Sequence, residues 1–184
     1  SLRYYGLYDI ERNLYKNFEG NKVIFEEINN SLGLVYKHQW SSCDEFGFVK
    51  KSTLTNNNDK SVKIELLDGI QNILPWGVDE SLQNSTSNLV DAYKRNELEK
   101  FSKIGIYALS AIIVDKAEPS EALKANIAWS TGFDKCKILL SSLQLDNFRK
   151  NFDISEEEDI KAEKGAYFVN SDFELSSNQK KTWH

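Results

Sequence analysis

The chain is poor in the residues that most often carry chemistry. Only two histidines, His38 and His184, occur among 184 residues, so a histidine-built metal centre lacks ligands. Cys43 and Cys136 stand far apart with no CxxC spacing; a disulfide is open, and two buried free thiols are the expectation. No GxGxxG, GxxxxGK[ST] or GxSxG occurs, which removes the phosphate cradles and the nucleophile elbow. There is no apolar run near the roughly 20 residues that span a bilayer, and no basic-then-apolar leader. We therefore expect a soluble chain, cytoplasmic, or periplasmic if a leader was removed. Methionine is missing altogether and the chain begins at Ser1, from which we expect a piece of a longer protein. Positive charge is short as well: the net charge is -5 and the pI about 5.2. Lys50-Lys51 and Lys180-Lys181 are too small to build a phosphate-binding patch. No nucleic acid, membrane, metal or cofactor is expected as a partner.

Long helical periodicity is scarce too, and what remains is alternation. Val23 to Phe25 opens a strand; the next places Leu34, Tyr36, His38 and Trp40 on one face. Phe46–Thr55 and Lys60–Leu67 read as a hairpin turned at Asn56–Asp59, where Asn and Asp tolerate left-handed backbone. Lys103–Asp115 is apolar on both faces, as a strand covered on both sides would be, and its β-branched residues favour strand over helix. Leu123, Ala125, Ile127 and Trp129 form an alternating set read as core. CKILLSS, GAYFV and DFEL add three short strands. One helix is expected where Leu145, Phe148 and Phe152 share a face. Pro75–Asn88 reads as a long surface loop of the kind that carries function, and Ser155–Lys164 as a solvated charged connector. The fold class is thus all-β, a two-layer antiparallel β-sandwich forming a single domain over residues 1–184.

Aromatic residues are the most suggestive chemistry present. Their flat apolar faces stack on sugar rings, and the rims of Trp and Tyr hydrogen-bond hydroxyls. Trp76, beside Gly77, is the foremost candidate for contact with carbohydrate or a neighbouring domain, with Asp79 and Gln83 from the same stretch and Trp40 from the aromatic stripe. By contrast, adjacent Glu26 and Glu27 point to opposite faces of a strand and cannot form a catalytic pair with each other.

The order FEEINNSLGLVYKHQWSSCDEFGFVKKSTLTN, a turn, then VKIELLDGIQNILPWGV resembles the N-terminal sandwich of bacterial cellobiose-phosphorylase-like and related glycoside hydrolase-like proteins. SNLVDAYKRNELE, VDKAEPSEALKANIAWSTGF, LLSSLQLDNF and GAYFVNSDFEL look like continuations, so the resemblance spans most of Gly20 to Leu175. It implies a galactose-mutarotase-like supersandwich that packs against an (α/α)6 barrel, the barrel holding the catalytic groups. This chain is too short and too poor in helix to include that barrel. The resemblance implies a non-catalytic domain of a glycoside hydrolase or phosphorylase, with the barrel, an oligosaccharide and a second copy in a homodimer as partners. The alternative is a free-standing glycan-binding or surface-assembly module. Under the resemblance Asp68-Gly69 is not a turn but a point inside one strand, where glycine permits a bulge or a close backbone approach.

Overall fold

The computed structural model describes residues 9–111 and 123–184. Among the described residues strands account for 49% and three short helices for 11%, so the fold is all-β with antiparallel sheets. In chain order the elements are β1 (Ile10–Lys16), β2 (Lys22–Asn29), β3 (Leu34–Cys43), β4 (Gly47–Asn56), β5 (Val62–Ile73), α1 (Glu80–Ser85), α2 (Ser87–Tyr93), β6 (Lys94–Leu98), β7 (Gly105–Leu109), β8 (Asn126–Ala128), β9 (Lys137–Leu139), α3 (Leu145–Arg149), β10 (Asp159–Lys161), β11 (Gly165–Leu175) and β12 (Lys180–Trp183). No described helix is long and apolar enough to cross a membrane. The chain divides into two compact units, one of Ser1–Ile64 with Thr131–Phe133 and Asp172–His184, the other of Glu65–Ser130 with Asp134–Ser171.

The first unit is one five-stranded sheet in the order β1-β2-β3-β4-β12. Its register places Phe25 opposite His38, and Tyr36 opposite Leu54. Tyr36, Trp183 and Phe133 form an aromatic cluster with ring centroids 5.4–6.2 Å apart. On the reverse face Glu26 accepts hydrogen bonds from Asn13 (2.9 Å) and Tyr15 (2.8 Å) and pairs with Lys37 at 2.6 Å. The Lys37 ammonium, then Asn13 and Tyr15, hold the Glu26 carboxyl down at about 2. Glu27 points the other way and pairs with Arg12, as the alternation of a strand requires.

The expected hairpin at Asn56–Asp59 does not form. Buried Asn56 donates its amide to the carbonyls of Lys60, Leu175 and Ser176 and accepts from the Asn58 backbone. That network turns the chain out of the sheet, so the edge of β4 is taken by β12 and β5 pairs with β11 instead.

The second unit contains two sheets, β10-β6-β7-β8 and β5-β11-β9. Buried Tyr107 of β7 donates to the Ala166 carbonyl of β11 at 2.6 Å, joining the layers. Burial pushes its phenol far above the ordinary value. Leu139, Ile154, Ala166 and Phe168 form an apolar core against which Leu67, Leu145 and Phe148 pack. As expected, β5 runs unbroken through Asp68-Gly69. A Cβ on Gly69 would lie 2.0 Å from the Tyr167 carbonyl oxygen, so only glycine lets β5 and β11 approach this closely.

Several sequence expectations are corrected here. GAYFV and DFEL belong to one continuous strand, β11. The Leu123–Trp129 alternation is exposed, with Ile127 at 55% and Trp129 at 41%, because β8 is a three-residue edge strand. The strand expected over Lys103–Asp115 is described only as Gly105–Leu109, and residues 112–115 lie outside the described residues. Phe152 falls beyond α3, since Asn151 adopts a left-handed φ of 60° that ends the helix. Both thiols are free, but Cys43 is exposed, placed at a hairpin tip rather than in a core. Finally, the acidic connector is not wholly solvated. Glu157 is buried, its Oε2 accepting from the Leu140 and Ser141 amides and its Oε1 from Ser141 Oγ and Gln144 Nε2.

Candidate functional site

The stretch expected as a long surface loop, Pro75–Asn88, folds into a turn, the whole of α1 and the start of α2. Gly77 has φ +82°, a conformation that favours glycine, and the Val78 amide bonds back to Pro75. Asp79 takes the extended N-cap position of α1, its carboxylate accepting from the Leu82 amide at 2.7 Å. This is a capping role. Alternation gave no sign of these helices because neither is long enough to show two turns of apolar periodicity.

Trp76 is 51% exposed on that turn. The Lys124 ammonium sits 4.2 Å from its ring centroid, a cation–π contact that covers one face. Gln83, on α1, reaches inward. Its Oε1 accepts from the Lys94 ammonium and its Nε2 donates to Asp91 at 3.3 Å. Lys94 is 2% exposed and also pairs with Asp91 at 2.7 Å. Burial works against the Asp91 carboxylate, yet the hydrogen bonds from Lys94 and Gln83 outweigh it and lower its pKa.

Around these groups lies a cavity of about 370 Å³, lined by Asn72, Leu74, Glu80, Gln83, Asn84, Lys94 and Lys164 among others. Its size is within the range of small-ligand pockets. The lining includes three amide residues, Asn72, Gln83 and Asn84, the buried Lys94, and the exposed Lys164 and Glu80. An ammonium carries three N–H donors, and among the described residues Lys94 uses two of them. Among the described residues the third meets no protein acceptor.

Of the four residues singled out from sequence, Gln83 lines this cavity, while Trp76 and Asp79 lie on the segment leading into it. Trp40 belongs to the other unit, half-buried in β3 between Val23 and Lys50. Lys94, Asn72, Asn84, Glu80 and Lys164 were missed. For Lys94 the sequence carries no signal: in β6 the residues Lys94, Asn96 and Leu98 are buried while Arg95 and Glu97 are not, a phase that the run KRNEL, polar at four of its five positions, does not display. A lysine in the inward phase of a strand needs a buried partner, and so marks a polar site.

No protein-family model matches the chain, and no curated protein matches its sequence.

Proposed function

We propose that this chain is a non-catalytic β-sandwich module of a carbohydrate-active protein, contributing to that protein by holding one end of a glycan in the cavity between α1 and β6. The observation that carries the reading is the Lys94 ammonium, buried, paired to Asp91 and Gln83, and left with one N–H to give. A buried donor in a cavity favours a ligand with an acceptor oxygen. Lys94 is paired with Asp91, and the lining holds one further lysine, Lys164, and one glutamate, Glu80, so the formal charges cancel, which favours a neutral polar ligand over an ion. Sugar hydroxyls donate and accept at once, and so match the amides of Asn72, Gln83 and Asn84. Trp76 adds a half-exposed ring at the entrance segment. The resemblance of the sequence to sandwich domains of glycoside hydrolases and phosphorylases supports the same substrate class.

The test is a titration of gluco-oligosaccharides and disaccharides followed by tryptophan fluorescence. Saturable binding at millimolar sugar is expected. Asn84→Ala, at an exposed position, should weaken it. The pair Lys94→Met with Asp91→Asn, changed together so that no lone buried charge remains, should abolish it. Absence of binding from the folded chain would reject a ligand role for the cavity and favour a scaffold that acts only beside a catalytic (α/α)6 barrel.

A further inference from the structure

The stretch of chain beside the cavity is held down in few places. Val78 and Val90 are buried at its two ends, and none of residues 79–89 between them is buried. α1 lies wholly inside that stretch and buries no residue. Its caps are its own: Asp79 accepts from the Leu82 amide, and the Thr86 amide and hydroxyl both donate to the Leu82 carbonyl. Among the described residues, the side-chain hydrogen bonds that leave Asp79–Thr86 are those of Gln83, to the Lys94 ammonium and to Asp91. A segment with no buried residue and one side-chain tie to its surroundings opens at a small fraction of the free energy of global unfolding.

α1 supplies Glu80, Gln83 and Asn84 to the cavity lining, and the C-terminal end of β5 with Lys94 and Lys164 supplies the rest. Lys94 belongs to that lining, yet its side chain is only 1% exposed. A ligand therefore reaches the ammonium only after something moves, and α1 is the part with least to lose. Lifting it breaks the two Gln83 hydrogen bonds but keeps the Lys94–Asp91 pair at 2.7 Å, because those partners belong to β6 and α2. No unpaired charge is then left in the interior, the outcome that makes breaking a buried ion pair costly. We propose that α1 is a lid on the cavity and Gln83 its latch. The lid swings as a unit between the turn at Pro75–Val78 and Thr86, where the backbone leaves helical geometry between α1 and α2. With the latch released Lys94 has two N–H groups to offer instead of one, and a ligand hydroxyl takes the place of the Gln83 carbonyl oxygen. The role of the lid rests on the reading of the cavity as a ligand site, whereas its motion does not, and the two are tested apart.

Acetylation of lysines at low reagent concentration, read residue by residue by mass spectrometry, follows the motion without any sugar. Exposed Lys164, from the same lining, is the internal standard. In the wild-type chain Lys94 should react at least about tenfold more slowly than Lys164. Its rate should stay nearly flat as urea rises below the unfolding transition, because a local opening exposes little surface. Gln83→Ala should speed Lys94 by about tenfold or more, the worth of a hydrogen bond to a charged group, and leave Lys164 unchanged. A Lys94 rate that climbs with urea along the slope of global unfolding overturns the proposal, and so does a Gln83→Ala rate equal to that of wild type. The urea series uses the wild-type chain, so it decides the matter even if Gln83→Ala does not fold. Stopped-flow tryptophan fluorescence with a gluco-disaccharide tests the role: the association rate at low sugar should rise in Gln83→Ala by the same factor as the Lys94 labelling, and an unchanged rate overturns the gating. Where no sugar binds and the labelling pattern holds, the glycan reading fails and the lid stands.

Discussion

Replacing Glu157 with alanine removes the acceptor from four donors at once. The Leu140 and Ser141 amides lie 2.7 and 2.8 Å from one carboxylate oxygen, and Ser141 Oγ and Gln144 Nε2 lie 3.0 and 2.8 Å from the other. Leu140 and Ser141 are wholly buried, so their amides have no water to fall back on unless the new cavity fills. Each unsatisfied buried donor costs about 1–3 kcal/mol. Gln144 keeps the Ser155 carbonyl and the serine hydroxyl rotates, which leaves the two amides as the main loss. Water entering the space vacated by the side chain recovers part of it. The net cost is therefore about 3–5 kcal/mol, a large share of the 5–15 kcal/mol by which domains are stable. Glu157→Gln should cost much less, about 1–2 kcal/mol. Its carbonyl oxygen can face the two backbone amides while its nitrogen turns to Ser141 Oγ, which has lone pairs to accept. The assay is hydrogen exchange resolved at Leu140 and Ser141, where 3 kcal/mol is a loss of protection of about two orders of magnitude. Protection unchanged in Glu157→Ala would refute the argument. Equal losses in the two variants would show that the charge, not the acceptor geometry, holds the segment.

The other predictions concern both units. Glu26 titrates at about 2 when folded against an ordinary 4.5, held down by Lys37, Asn13 and Tyr15; its contribution is complete above about pH 5 and is lost as pH falls toward 2. That gap has a ceiling of about 3.4 kcal/mol, and because the Lys37 side chain is half exposed, screening reduces it to about 1–2 kcal/mol. Urea unfolding should show wild type and Glu26→Gln converging between pH 5 and pH 2, and a constant difference would contradict the assignment. Gly69→Ala forces a methyl group toward the Tyr167 carbonyl and should destabilise by at least about 1–3 kcal/mol, read as a lowered melting temperature; an unchanged one would mean the two strands sit further apart. Trp183→Ala, which removes a ring 3% exposed and packed on Tyr36 and Phe133, should cost about 3–5 kcal/mol. Trp76→Ala and Trp129→Ala, at half-exposed positions, should each cost clearly less in the same unfolding assay.

Strand by strand, the legible part of this fold was the part set by alternation. Leu34 to Trp40 shows its period of two, and β3 stands where that period places it. Asp68-Gly69 was placed inside one strand only by the resemblance, and β5 does run through it. What alternation cannot carry is pairing. β4 and β5 look like a hairpin locally, and only Asn56, reaching carbonyls more than a hundred residues away in sequence, separates them. Nor does alternation distinguish a buried edge from an exposed one, and so Trp129 and Ile127 looked like core while β8 leaves them at the surface.

The cavity was the least legible feature, and its parts show why. Gln83 was reached because it lies in a turn-rich stretch that invited attention. Lys94 was passed over because lysine is ordinarily a solvated residue, and its burial depends on Asp91 three residues before it and Gln83 eleven before it. Those partners approach only once α1 and α2 form, and both helices are too short for periodicity to announce. Glu157 repeats the lesson from the other side: an acidic run reads as solvent-facing until the amides of Leu140 and Ser141, from a distant segment, come to meet it. In this chain the polar groups that matter are buried ones satisfied across the sequence, so it is the meeting of distant segments, and not a local pattern, that locates them.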